Sequence, residues 1–368
     1  FKGKFYALPQ APQQYKQLLM VSGFDKYFQI APCFRDEDAR ADRSPGEFYQ
    51  LDFEMSFATQ EDVFHVGEEV LTAAFEKFAP EGSVITQAPY PVISYKQAML
   101  EFGTDKPDLR NPLRIVDVTD FFQRCTFKPF HGKTVRAIKV HAEMSKGFHE
   151  KLLKFAQDIG MGGLGYLEVM EDRSYKGPID KFIPDDMKME IADIAGLESG
   201  DTIFFIADNE EQAALYAGQI RTELGLRLDI CEKNAYRFCF INDFPMYEYD
   251  KEEKKMVFTH NPFSMPQGGL EALNTKEPKD ILAYQYDIVC NGVELSSGAV
   301  RNHDMDIMVR AFEIAGYTEE DLKEKFGALY NAFQFGAPPH AGMAPGVDRM
   351  IMLLRNEENI REVIPFPM

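Results

Sequence analysis

The sequence predicts an α+β fold, an antiparallel sheet flanked by helices and interrupted by a separate, inserted α+β segment. Three observations point there. Residues 28–57 alternate in character on two limbs around a charged loop, Asn291-Gly292 marks a second hairpin, and the texture changes between about residues 105 and 233. With 368 residues, 45% of them hydrophobic, the chain can bury a sizeable core over two or three domains, read as 1–104, 105–233 and 234–368.

Residues 5–8 read as a short strand, and Pro12 as the first turn of a helix running to about Met20, where Gln13 and Lys16 are neighbours on one face. The limbs of 28–57 follow. Arg35 and Glu37 share one side of an extended chain, and Phe48, Gln50, Asp52 and Glu54 do the same on the return, while Leu51, Phe53 and Met55 face the other way. A sheet with one solvated face gives the same alternation. An arginine and an aromatic ring on the polar face argue for chemistry instead. Thr59 and Asp62 form a capping box for a helix ending before Pro80, with Val63, Val66, Val70, Ala74 and Phe78 at helical spacing.

DKPDLRNP, residues 105–112, is a turn-rich boundary. Beyond it, a strand at 203–207 leads to a helix over 210–224 carrying Ala213, Ala214, Ala217, Ile220 and Leu224, closed by Gly225. The glycine-rich run 160–165 lacks the ending of a phosphate loop and the strand-then-helix setting of a dinucleotide fingerprint, so it reads as a flexible turn. No chemistry is assigned to this segment.

Strands resume at 238–241, 257–262 and 284–295. If Asn291-Gly292 is a two-residue turn, Cys290 pairs with Val293 and Val289 with Glu294, which sets Asp287 and Glu294 on one sheet face. Two such acids are either solvated or bridged by a cation, and oxygen-only ligands favour Mg²⁺. Strict alternation puts Arg301 on the opposite face from Glu294, so a common site for both demands a bend or bulge around Ser296-Ser297-Gly298. A helix capped by Thr318 and Asp321 follows, carrying Leu322, Phe326, Leu329, Tyr330 and Phe333. A strand of small residues then passes into an apolar helix whose first turns hold Arg349. A cation there gains nothing from the helix dipole and calls for an anion, such as a phosphate.

Composition narrows the classes. A net charge of −19 excludes broad nucleic-acid binding over the whole surface, so a polyanion must meet a local cluster such as Arg35, Arg40 and Arg43. The five cysteines are scattered and form no CxxC pair, as expected of reduced, mostly buried thiols, and the histidines show no metal-ligand spacing. No apolar run approaches the roughly 18 residues that span a bilayer, and no signal peptide is visible, so a cytoplasmic location without membrane contact is expected. The first residue is Phe1, which suggests a piece of a longer polypeptide.

The residues also carry a family resemblance. Phe34-Arg35-Asp36-Glu37, the charged loop and Phe48 resemble motif 2 of class II aminoacyl-tRNA synthetases, and the run from Gly342 to Arg349 resembles motif 3. YALPQAPQQYKQLLM, CFRDEDARADR, GTDKPDLRNP and GAPPHAGMAPGVDR are similar to the bacterial-type aspartyl-tRNA synthetases, over essentially the whole chain. The resemblance implies the class II antiparallel sheet, with residues 105–233 as the inserted domain. It also implies an aspartate-tRNA ligase, which activates L-aspartate with ATP and charges tRNA, as a homodimer when full length. An enzyme charging both tRNA-Asp and tRNA-Asn, and a non-charging paralogue, remain as alternatives.

By the same resemblance, Arg35 would hold the α-phosphate of ATP, Phe48 would stack on adenine, Glu37 would accept from the adenine amino group or its surroundings, and Arg349 would grip the γ-phosphate. Asp287 and Glu294 would hold Mg²⁺. Arg301 and Lys16 would bind the aspartate side chain, Arg301 in bidentate fashion, with Gln13 and Asp52 on the α-ammonium and His260 in the same pocket. Two cations in that pocket would reject asparagine, whose amide leaves both unpaired. Arg40 and Arg43 would meet the tRNA acceptor stem. The resemblance lacks an anticodon-reading N-terminal barrel, motif 1, which builds the dimer interface, and the loop that closes over aspartate. Ser296-Ser297-Gly298 stands where many relatives carry a glycine triplet, and Asn261 where some carry a second histidine.

Overall fold

The computed structural model describes residues 2–35 and 46–366. The chain forms two compact units, Phe1–Tyr95 with Asn234–Met368, and Lys96–Lys233.

The first unit is built on a seven-stranded sheet. Its order is Lys26–Phe34, Glu47–Ser56, His340–Met343, Val293–Val300, Gln285–Cys290, Phe238–Asn242 and Val92–Ser94. Every neighbouring pair is antiparallel except the last, which is parallel. The period of two seen in the sequence sets the faces. Phe53 and Met55 enter a core with Phe238, Phe240, Tyr286, Ile288 and Met343, whereas Asp52 and Glu54 turn to the other side.

Helix Gln60–Phe78 covers that core and starts with the expected capping box. Its buried face is shifted from the expected one, for it holds Val63, Phe64, Gly67, Leu71 and Phe75 while Val70 and Phe78 are exposed. The larger rings decide the rotation: Phe64 stacks on Phe240 with centroids 3.8 Å apart, and Phe75 packs edge-on against Phe238 at 4.9 Å. Residues 5–8 form no strand, contrary to expectation. Phe5 and Tyr6 point into solvent, and the segment reaches the sheet through Pro9, whose carbonyl accepts from the Phe34 N–H. A short apolar run with nothing to pack against gains nothing from pairing.

The Asn291-Gly292 turn is present, with φ of 51° and 84°. So is the demanded bulge. Val289 pairs with Glu294 but Ile288 with Ser296, leaving Leu295 as the extra residue, just before the serines. Leu295 enters the core and the face of every later residue on the strand is reversed. Glu294 and Arg301 thereby share a face, and Ser297 stands opposite Asp287.

Helix Gln13–Val21 begins after Pro12. Helix Glu319–Phe333 has the capping box of Thr318 and Asp321, and bends at Phe326, which packs on Phe263 and Phe312. Helix Met305–Ile314 and strand Tyr247–Asp250 had no expectation attached, and the strand expected at 257–262 is instead Lys255–Phe258, paired with Tyr247–Asp250.

The second unit has a five-stranded antiparallel sheet with separate apolar cores. Helix Glu210–Arg227 buries the five residues anticipated, yet it continues through Gly225. A Cβ at Gly225 would lie 2.4 Å from the Asn111 amide nitrogen, so this glycine serves close packing rather than termination. The stretch 105–112 is held inside this unit: Arg221 donates to the carbonyls of Leu113 (2.8 Å), Asn111 (2.7 Å) and Asp108 (3.0 Å), and Asn111 donates back to the Arg221 carbonyl. None of the five cysteines is in a disulfide, and four of them are buried. No described helix is long and apolar enough to cross a membrane.

Candidate active site

Two cavities adjoin on the polar face of the seven-stranded sheet. The first is lined by Arg35 and Phe48 from the hairpin, Glu294 and Ser296 from beside the bulge, and Asp348 and Arg349 from the start of helix Val347–Arg355. The Arg35 guanidinium lies 4.9 Å from the Phe48 ring centre, so a ring and a cation face one another at the mouth. Arg349 donates to the Glu294 carbonyl at 2.7 Å and stands 3.7 Å from its carboxylate. Asp348 accepts from the Tyr49 N–H at 2.8 Å, although burial pushes its carboxyl above the usual range.

The second cavity is lined by Gln13, Lys16, Asp52, His260, Asn261 and Arg301 among others. At its base lies a buried network of four charges. Lys16 is 2.8 Å from Asp52 and 3.2 Å from Glu54, and Glu54 takes Arg301 through two bonds of 2.9 and 3.1 Å. Burial works against the charges of Asp52, Glu54 and Arg301, and the outcome differs by residue. The Arg301 and Lys16 charges overcome it at Glu54, whose carboxyl is held below its ordinary range, whereas at Asp52 burial wins over Lys16 and the carboxyl is raised. Arg301 is likewise opposed by burial but raised overall by Glu54. His260 packs edge-on against Phe244 at 4.8 Å. Arg35, Gln50, Ser297 and Ala344 line both cavities and mark their junction.

A cleft pairing an aromatic ring with two arginines, joined through one of them to a pocket floored by balanced charges, suits a nucleotide beside a zwitterion. The family of class II tRNA synthetases (D, K and N) matches residues 1–368. The chain belongs to that family. It is 58% identical to the aspartate--tRNA(Asp/Asn) ligase of Ehrlichia canis and 59% identical to that of Gluconobacter oxydans, each over 373 residues and the whole of this chain. It spans 63% and 62% of the length of those two relatives. An aspartyl tRNA synthetase from Entamoeba histolytica aligns over all of this chain and 53% of its own, with a TM-score of 0.49 and 17% identity.

In this class II synthetase chain the fold gathers Arg35, Phe48, Glu294 and Arg349 in one cavity, and Gln13, Lys16, Asp52, His260 and Arg301 in the other. Asp287 lines neither. It is buried, on the sheet face that also carries Glu294, and among the described residues no three His, Cys, Asp or Glu side chains are disposed to hold a metal ion. Glu37, Arg40 and Arg43 lie outside the described residues.

One inference from the sequence needs correction. The second cavity does not present two bare cations, because Asp52 and Glu54 already balance Lys16 and Arg301, so rejection of asparagine cannot rest on cations left unpaired. Glu54 was missed as a site residue although it follows Asp52 on the same face. Its partners are 38 residues back and 247 residues on, beyond any local pattern. Gln50 and Ser297 at the junction were missed as well. Gln50 carried the right parity, and Ser297 comes to the face through the bulge.

Proposed function

We propose that the chain is the catalytic part of an aspartate-tRNA ligase. The observation that carries this is the junction: Arg35 borders both the cleft suited to a nucleotide and the pocket floored by the four-charge network. ATP lies in the first cavity with adenine on Phe48, its α-phosphate at Arg35 and its γ-phosphate toward Arg349; Glu37 attends the adenine amino group. Aspartate lies in the second, its ammonium at Gln13 and Asp52, its side-chain carboxylate at Lys16 and Arg301, and His260 on the wall.

An oxygen of the aspartate α-carboxylate attacks the α-phosphorus in line, the new P–O bond forms, and the bond to the β-phosphate breaks. Pyrophosphate leaves and aspartyl-adenylate remains. A ribose hydroxyl of the terminal adenosine of tRNA then attacks the acyl carbon and AMP departs. The protein's share is position and charge: it holds the reacting atoms at the junction and sets Arg35 against the charge that gathers on the phosphorus oxygens. Asp287 and Glu294, oxygen donors on one sheet face, would hold Mg²⁺, which would supply charge neutralisation to the phosphates. Arg40 and Arg43 meet the acceptor stem. The working protein is a cytoplasmic homodimer, and residues 105–233 form its inserted domain.

Selectivity for aspartate is recast by the balanced floor. Glu54 takes the Nε–Nη2 edge of Arg301 and leaves Nη1 for the ligand. An amide in place of the carboxylate turns its NH₂ toward donors that cannot accept, a mismatch of about 1–3 kcal/mol for each group left unsatisfied. A second reading, that both tRNA-Asp and tRNA-Asn are charged, is favoured by the Ehrlichia canis and Gluconobacter oxydans relatives, which are named aspartate--tRNA(Asp/Asn) ligases.

ATP–pyrophosphate exchange on the intact protein tests the proposal, with aspartate, asparagine and glutamate supplied separately. Exchange with aspartate at least about tenfold faster than with asparagine is expected; equal rates overturn the pocket assignment, and no exchange with any of them overturns the function. Aminoacylation of separately purified tRNA-Asp and tRNA-Asn decides between the two readings.

A further inference from the structure

Gln17 and His340 are both fully buried and take no part in the steps above. With Gln13 they form a line of hydrogen bonds leading into the amino-acid cavity. His340 Nδ1 lies 2.8 Å from the Pro338 carbonyl, which only accepts, so the ring proton sits on Nδ1. Burial lowers the basicity of the ring, Arg301 and His303 act in the same direction, and Glu54 and the Pro338 carbonyl oppose them; the balance keeps the ring neutral. Its Nε2 is then an acceptor.

Gln17 Nε2 stands 3.2 Å from that atom and must donate to it, which turns the Gln17 oxygen the other way. There it meets Gln13 Nε2 at 3.0 Å, four residues back on the same helix. One bond dictates the next. Gln13, whose side chain lines the cavity, is left with its amide oxygen as the atom that can accept from a ligand.

We propose that His340 and Gln17 are positioning residues that fix the Gln13 amide with its oxygen toward the substrate ammonium. This rests on the reading of Gln13 as an ammonium ligand. A glutamine amide fits a pocket almost equally well in its two flipped states, since oxygen and NH₂ have nearly the same shape. Only the hydrogen-bond partner separates them, and the flipped state sets an NH₂ donor against an ammonium. The chain therefore acts on amino-acid binding and leaves the nucleotide cleft alone.

The test is ATP–pyrophosphate exchange on the intact protein, with KM for aspartate and for ATP measured separately. Exchange by the unaltered protein is the reference, and its absence refutes the functional reading rather than the relay. Gln17→Met keeps the side-chain length and deletes both bonds, so KM for aspartate should rise about tenfold while KM for ATP stays within about twofold. Gln17→Glu is the rescue. Ionised or protonated, its carboxyl still accepts from Gln13 and still pairs with His340, so KM for aspartate should return to within about threefold of the reference. Parallel rises of both KM values in Gln17→Met, or a Gln17→Glu protein no better than Gln17→Met, overturn the proposal. If Gln17→Met does not fold, Gln17→Glu decides alone, and a tenfold loss of aspartate affinity there is fatal to it.

Discussion

Arg301 in one unit and Arg221 in the other are equally buried, each 2% exposed, and they are held in opposite ways. Arg221 is ringed by three neutral carbonyls and lies over Phe102, 5.0 Å from the ring centre. Burial, aided by Arg114 and only partly opposed by the Asp108 carboxylate, pushes its pKa down to about 10. Arg301 faces Glu54, which more than offsets burial and raises it. The first arrangement ties a turn-rich stretch to a helix. The second keeps one edge of a guanidinium on a carboxylate and another toward a cavity. What separates a structural arginine from a chemical one here is the partner's charge together with the donor left facing open space.

The largest effect should come from breaking the second arrangement at its centre. Glu54→Gln leaves Arg301 buried beside a neutral amide, and removal of one partner from such a pair costs about 3–5 kcal/mol. Urea unfolding at several pH values would measure it. The Glu54 carboxyl is held below its ordinary range, so its stabilisation is present above the unfolded value near about 4.3 and is lost as pH falls through the lower folded value. The variant should lack that acid-side loss. A cost under about 1 kcal/mol would show that Arg301 does not depend on Glu54.

Breaking the first arrangement should cost somewhat less and show elsewhere. Arg221→Met strands carbonyls of Asp108, Asn111 and Leu113, for a loss of roughly 3 kcal/mol when part of the exposed need is met by water. Hydrogen exchange should rise within Lys96–Lys233, with KM for aspartate unaltered. A change in aspartate KM without faster exchange would erase the distinction between the two arginines.

The faces of the first hairpin were legible in the sequence because the period of two leaves no freedom once one side is apolar, and both capping boxes were legible because they are local. The bulge at Leu295 was legible by contradiction: Glu294 and Arg301 could share a face only if the strand slipped by one residue. What could not be read was cross-chain pairing. Nothing near Lys16 or Arg301 reveals that Glu54 neutralises both, since the bonds close only when a helix and three strands assemble. Gly225 misled for a related reason, because a local pattern does not distinguish a glycine used for its backbone freedom from one used for its missing side chain. The helix after the hairpin was rotated by ring packing that spacing alone does not weigh.

The smallest change in stability should come from Asp52, two residues from Glu54 on the same strand and nearly as buried. Its carboxyl is raised by burial, which outweighs Lys16, so its stabilising contribution is full below the unfolded carboxylate value and lost as pH rises through the folded one. At neutral pH the charge there is a burden to the fold. Asp52→Asn removes it while Lys16 keeps Glu54 at 3.2 Å, so no cation is left bare and the cost should stay within about 1 kcal/mol. The same change deletes a carboxylate where the substrate ammonium is proposed to bind, and KM for aspartate should rise about tenfold or more. The two acids would then divide the work, Glu54 holding the floor and Asp52 meeting the ligand. An Asp52→Asn protein as unstable as Glu54→Gln, with unchanged aspartate KM, would show instead that both acids belong to the floor.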